Sequence, residues 1–340
     1  MGVLDNYNIR DRMIRGALSQ ALNASSGHSH DGVGSRYVGL SPIGAGDVWY
    51  LDPTNGDDDN SGRRPDDAFA SLPAAYAACT ANQHDVVAYL AGPTGITLID
   101  TVTWAKAYTH LVGVCAPTAV AQRARIHNET TAAKSPLIDI TASGCIFRNL
   151  YVFQGVDDAA SLLNVRVTGG RNWFQNVHFA GGGHATQAID GGASLALYGA
   201  EECSFEDCTI GVDTIAAATG MMAMRVDSDA KRCLFRNCRF TMYAGDTAAG
   251  FVEVVDSAGF DRYLLFEDCL FLNDCVTYAM AGAFVIPSGM GSVTHRIILR
   301  RCGAVGVTEW DANNRGIVYA DMGAITAGGN SGLLQPTNTT

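Results

Sequence analysis

Lysine is scarce: Lys106, Lys134 and Lys231 are the three in a chain of 340 residues. Charged residues of both signs make up only 17%, and acids outnumber bases 34 to 23, for a formal net charge of −11. A chain of that sign has no general attraction for nucleic acid or for an anionic membrane surface. No stretch approaches the ~18 consecutive apolar residues of a membrane-spanning helix. The opening residues, MGVLDNYNIRDRMIRG, lack the apolar core of an export signal. A disordered chain is also excluded, because 47% of the residues are hydrophobic and 38 are glycine. That is the composition of a folded, loop-rich β protein.

What is present is repetition. Six versions of one phrase run through the second half: CIFRNLYVF (145–153), NWFQNVHFA (172–180), CSFEDCTIG (203–211), CLFRNCRFT (233–241), LLFEDCLFL (264–272) and IILRRCGAV (297–305). The third position, Phe147, Phe174, Phe205, Phe235, Phe266 and Leu299, recurs at intervals of 27, 31, 30, 31 and 33 residues. A near-constant period of this size is the mark of a solenoid. Each phrase reads as a strand, a one-residue corner and a second strand, with Cys203, Phe205, Cys208 and Ile210 pointing inward. The corner position holds Asn149, Asn176, Asp207, Asn237, Asp268 and Arg301. Asn and Asp tolerate the left-handed backbone of a sharp corner, and stacked amides hydrogen-bond from copy to copy. Before the corner, Glu206, Arg236, Glu267 and Arg300 alternate in sign. In-register stacking predicts an outer charge ladder among them.

A second strand recurs between the phrases: LLNVRV (162–167), SLALYG (194–199), MMAMRV (221–226), FVEVVD (251–256), AFVIPS (283–288) and GIVYAD (316–321). About three short strands per period predict an all-β fold, a right-handed parallel β-helix of about 30 residues per coil. The ten cysteines fall on repeated coil positions, so they read as interior small apolar residues rather than a zinc cluster. Thiols kept reduced imply folding in a cytosol.

The N-terminal part has a different grammar. Residues 1–46 read as an arm. In it Ile9, Met13, Ile14, Leu18 and Leu22 make the apolar side of a short amphipathic helix, followed by a Gly/Ser-rich stretch. Residues 47–92 read as a strand, a polar loop, a helix with Ala68, Phe69, Leu72, Ala75, Tyr76 and Cys79 on its inner side, and a further strand. Coils are expected over 93–327 and a polar tail over 328–340.

The segment VWYLDPTNGDDDNSGRRPDDAFASLPAAYAAC resembles the opening module of pectate-lyase-like right-handed β-helix proteins, and the coil phrases are similar too. The resemblance spans about 47–325. It implies the fold but not one activity, since the superfamily holds lyases, hydrolases, epimerases and bacteriophage spikes. GHSHDGVGSRYVG (27–39) is similar to stretches near the N-termini of bacteriophage structural proteins.

Glycan cleavage needs convergent carboxylates, or a carboxylate-held cation with a base. Glu201 and Glu202 with Asp227 and Asp229, near Arg225, Lys231 and Arg232, form the strongest such patch. A solvated loop is the competing reading. The catalytic motifs of pectate lyases and polygalacturonases are not evident, so no catalytic residue carries over. His28 and His30 are metal candidates if three chains meet about the arm. The acidic loop from Asp52 to Asn60 offers oxygen ligands for calcium, against a plain turn.

Together these readings predict a non-enzymatic bacteriophage virion protein without a cofactor, folded in the host cytoplasm. It is expected to be a homotrimer anchored by its arm to capsid or tail proteins. Head decoration is preferred over a tail spike, with a host surface glycan as a possible ligand and neither nucleic acid nor membrane insertion expected. The alternative is a polysaccharide lyase or hydrolase of the tailspike kind.

Overall fold

The computed structural model describes residues 46–120, 124–128, 132–290, 295–313, 318–321 and 333–334. The fold is a right-handed parallel β-helix. One wall is an eight-stranded sheet: Val102–Trp104, Ile138–Ile140, Leu163–Val167, Ala193–Tyr198, Met222–Asp227, Gly250–Val254, Met280–Val285 and Val307–Asp311. Its neighbours all pair in parallel. The phrases build a second sheet of 18 strands that bends at the corner residue. No helix among the described residues is long and apolar enough to cross a membrane.

The third position of each phrase fixes the register. Phe147 pairs with Phe174, Phe174 with Phe205, Phe205 with Phe235, Phe235 with Phe266, and Phe266 with Leu299. Their rings form a column along the axis. Centroid spacings are 5.1, 4.6, 4.7 and 4.8 Å, with interplanar angles of 10° or less. Phe240 and Phe271 start a second column at 4.7 Å. Parallel strands repeat at about 4.8 Å, so identical rings on successive rungs meet face to face without shifting the backbone.

Every corner residue lies in the left-handed region: Asn149 (φ 55°), Asn176 (51°), Asp207 (55°), Asn237 (51°), Asp268 (55°) and Arg301 (51°). Gly211 (φ 113°) closes one phrase where a Cβ would lie 1.9 Å from the Thr241 carbonyl oxygen. A second left-handed corner, not anticipated from sequence, occurs just before the phrase, at Tyr108, Gly144, Arg171, Glu202 and Arg232.

The cysteines pack inside, all of them free thiols and all but Cys115 buried. Cys208, Cys238, Cys269 and Cys302 each point a thiol at the carbonyl of the phenylalanine one rung back, at 3.3–3.5 Å. Burial pushes the Cys79 thiol up to about 12 and raises that of Cys238 as well. A thiol must be reached to react, and Cys115 is the one cysteine not buried, so a thiol reagent added to the native protein should label Cys115 first. The buried cysteines should react only in denaturant, counted by mass spectrometry. Rapid native labelling of Cys238 would contradict this packing.

Two sequence readings are corrected. Val318–Ala320, within GIVYAD, pairs with Ile297–Leu299 in the bent wall; Val307–Asp311 takes the eighth place in the flat wall. The helix α1 is only Leu72–Ala78. Phe69 instead bridges Leu51, which holds the preceding backbone extended. Val48–Leu51, Val86–Leu90 and His110–Val114 continue the bent wall toward Phe147, so the opening module and the coils share one sheet.

Helix α1 closes the open end of the core. Ser71 caps it by accepting the Ala74 N–H at 3.3 Å. Lys106 Nζ donates to the carbonyls of Tyr76, Ala77 and Cys79 at the other end. Tyr76 stacks on Trp104 at 4.2 Å, and Trp104 meets the Phe147 edge at 5.4 Å.

Candidate functional site

The outer ladder is a run of ion pairs on adjacent rungs. Arg236 reaches Glu206 at 3.3 Å and Glu267 at 3.2 Å, and Arg300 reaches Glu267 at 2.7 Å. Glu267 sits between two guanidiniums with its side chain 11% exposed, whereas Arg236 and Arg300 are about half exposed. Along the corner, Asn176 donates to Asn149 at 3.0 Å and Asn237 to Asp207 at 2.6 Å. Arg301 grips Asp268 with two nitrogens at 2.6 and 2.7 Å. That pairing, first, holds the Asp268 carboxyl below its ordinary range. These contacts link coil to coil on the outside, as the ring column does inside.

The carboxylate patch singled out in the sequence is tied down. Glu201 accepts from Arg232 at 2.8 Å, and Glu202 accepts from Arg171 at 2.9 Å and Arg232 at 3.2 Å. Asp227 accepts the N–H of Ser228 at 2.7 Å. The acidic loop is occupied by its own backbone: Asp52 accepts from Thr54 and Asn55, Asp57 from Asp59, and Asp58 from Ala70 and Ser71. No group of three or more metal-ligating side chains is assembled among the described residues. Ile9, Met13, Ile14, Leu18, Leu22, His28 and His30 lie outside the described residues.

A pairing that the sequence did not bring together lies on the flat wall. Arg225 stands opposite Glu253 on the next rung, with NH2 2.9 Å from Oε2 and both side chains largely buried. Burial, with Asp190 and Asp227 near, raises the Glu253 carboxyl, while Arg225 pulls the other way. In the same column, two rungs back across Ala196, Arg166 holds Asp139 at 3.0 and 2.6 Å.

Where the phrases turn, a polar groove of about 490 Å³ runs along the corner residues. Pro117, Thr118 and Ala119 form one side, and the Thr209 hydroxyl donates to the Ala119 carbonyl. Beside it, His178 is buried against Tyr151 at 4.9 Å, and its Nε2–H donates to the Gly211 carbonyl at 3.0 Å. In the strand His110–Val114, His110 Nδ1 accepts the Ile146 N–H at 3.0 Å.

Burial pulls both imidazoles down to about 4 from 6.5. The folded value lies below the unfolded one, so the unfolded chain takes up protons first as pH falls. The stabilisation is therefore complete above pH 6.5 and is lost as pH falls from 6.5 toward 4. For His178 it is about 3 kcal/mol. Thermal melts across that window should show the loss, and His178→Gln, which keeps an N–H donor, should make it smaller while leaving the share of His110. An unchanged slope would contradict a neutral buried His178.

With this geometry in place, solved structures give the fold a context. A pectin methylesterase bound to a hexasaccharide aligns with a TM-score of 0.52 and 15% identity, over 83% of this chain and 92% of the other. The pectin methylesterase of Erwinia chrysanthemi gives 0.51 and 14% over the same shares. ORF18 of Geobacillus virus E2 aligns at 0.41 and 12%, over 68% of this chain and 45% of that protein. The two esterase likenesses show the fold alone, a parallel β-helix. Neither the protein-family models nor the curated proteins contain a match to the chain.

Proposed function

We propose that the protein is a structural component of a bacteriophage particle: a stiff β-helix, homotrimeric, attached to capsid or tail proteins through residues 1–46. Head decoration is favoured over a tail spike. The observation that carries the reading is the state of the acids. Glu201 and Glu202, of the patch best placed for glycan cleavage, are committed to Arg171 and Arg232, and the acids of the ladder to Arg236 and Arg300. Spent in this way they cross-link coils, and they are not poised as acid and base. The resemblance of GHSHDGVGSRYVG to phage structural proteins supports the same reading. Mass spectrometry of purified particles is expected to find the chain at a fixed copy number, as trimers after mild dissociation. Its absence from particles would refute the proposal.

A glycan-cleaving enzyme is the second reading, favoured by the raised Glu253 carboxyl beside Asp190 and Asp227. Two carboxyl groups whose surroundings set their acidities apart are the pair that glycoside hydrolysis uses. Release of reducing ends from a host polysaccharide, abolished by Glu253→Gln, would establish it. Equal traces of activity in the variant would exclude Glu253.

A further inference from the structure

One outer face of the bent wall carries an apolar column. The phenylalanine of each phrase points inward, so the residues flanking it point outward. The position before it stacks Trp173, Ser204, Leu234, Leu265, Ile298 and Tyr319 in register. All six are partly exposed and lie outside the core. Five of them are apolar, and a near-continuous apolar column on a flat sheet marks a contact where scattered residues would not. Beside it run the ladder, Glu206, Arg236, Glu267 and Arg300, and the corner column, Asp207, Asn237, Asp268 and Arg301.

The order of the charges says what covers this face. The ladder alternates acid, base, acid, base, so reading it backward inverts every sign. A second copy laid face to face with its axis reversed sets Glu206 opposite the partner's Arg300, and Arg236 opposite the partner's Glu267. The corner column obeys the same reversal: Asp207 meets the partner's Arg301, and Asn237 meets the partner's Asp268. In the apolar column Leu234 meets the partner's Leu265, and Ser204 meets the partner's Ile298. Both copies repeat at ~4.8 Å, so all these pairs align at once. A copy pointing the same way sets each charge against its own kind, which costs affinity. We infer that this face is a two-fold, antiparallel contact between two copies of the chain. Such a contact must be complementary to itself, and both charged columns meet that condition. The face is nearly neutral, with three arginines against four acids, so the repulsion between chains of net charge −11 is mainly the long-range part that salt screens. The apolar column spans roughly 24 Å at ~4.8 Å per rung, which is small for a specific interface, so pairing is expected at roughly micromolar concentration and above. The inference does not rest on the virion reading. Threefold neighbours share one axis direction, so the pairing joins chains of different trimers.

Two full-length variants, Ser204→Cys and Ile298→Cys, treated singly and mixed with a short bis-maleimide, test the direction of the contact. In the antiparallel pair Ser204 lies three rungs, ~14 Å along the axis, from the partner's Ser204. Mass spectrometry is therefore expected to find the 204–298 link in the mixture, roughly tenfold or more above links of either variant to itself. Sedimentation equilibrium tests the pairing itself. The average mass should rise with concentration above that of the smallest species, and that smallest species, one chain or three, reads the trimer separately. Leu234→Asp should weaken the rise roughly tenfold or more. Thr103→Asp, the same added charge on the flat wall, should leave it unchanged. Circular dichroism identifies a variant that fails to fold, and Leu265→Asp then supplies a second probe from the opposite side of the contact. The proposal is overturned if the mass stays constant with concentration, or if both aspartate variants associate like the native chain. It is also overturned if each cysteine variant links to itself as readily as to the other, which would mean copies pointing the same way.

Discussion

Phe235→Ala is expected to destabilise the protein by about 3–5 kcal/mol. The ring is fully buried, 4.7 Å from Phe205 and 4.8 Å from Phe266, with Phe240 at 5.8 Å. The strands that carry these rings are pinned in register on both sides. A cavity there has little freedom to collapse, since closing it would move whole rungs. The replacement also removes two stacking contacts, each of which adds to simple burial. Urea unfolding of the variant measures the loss, and Phe235→Leu, which keeps most of the volume, should cost clearly less. A loss below about 1 kcal/mol would mean that the column relaxes far more than a close-packed core allows.

The column was legible in the sequence because its signal is local and repeated. Alternation within each phrase places the phenylalanine inside, and the period places copies on top of one another. The corner was legible for the same reason, since Asn and Asp at one position report a left-handed backbone. Arg301 keeps that conformation without such a side chain, and its paired hydrogen bonds to Asp268 offset the cost. The second corner gave no such signal. Tyr108, Arg171, Glu202 and Arg232 share no local preference, so the stacked strands on either side impose their backbone.

The Arg225–Glu253 pair was hidden by an error of two residues. Strands read as starting at Met221 and Phe251 would place Arg225 opposite Val255, whereas the backbone places it opposite Glu253. Loops of unequal length separate the phrases from the flat-wall strands, and periodicity alone does not set their phase. The same freedom explains GIVYAD, whose composition suits either wall. The groove was invisible for a different cause. Its far side, Pro117 to Ala119, lies some 90 residues along the chain from Thr209, and only the fold brings them together.

The second large effect concerns attachment. Residues 46–51 already pair into the bent wall, through Val48–Leu51 against Val86–Tyr89. Removing the arm, residues 1–46, therefore leaves the ring column, both walls and the capping helix complete. The truncated chain is expected to unfold at the temperature of the full protein. The arm carries Ile9, Met13, Ile14, Leu18 and Leu22, an apolar set too short to be a stable isolated helix in water. In the proposed function its partners are particle proteins and the arms of sister subunits.

Incubating full-length and truncated protein with particles lacking the chain, then counting bound copies by quantitative mass spectrometry, tests that function most directly. The account predicts saturable binding of the full chain and loss of at least about 90% of bound copies on truncation, as expected when most of an anchoring interface is removed. Equal incorporation of the truncated protein would show that the β-helix itself attaches. Failure of the full chain to bind at all would contradict the virion reading.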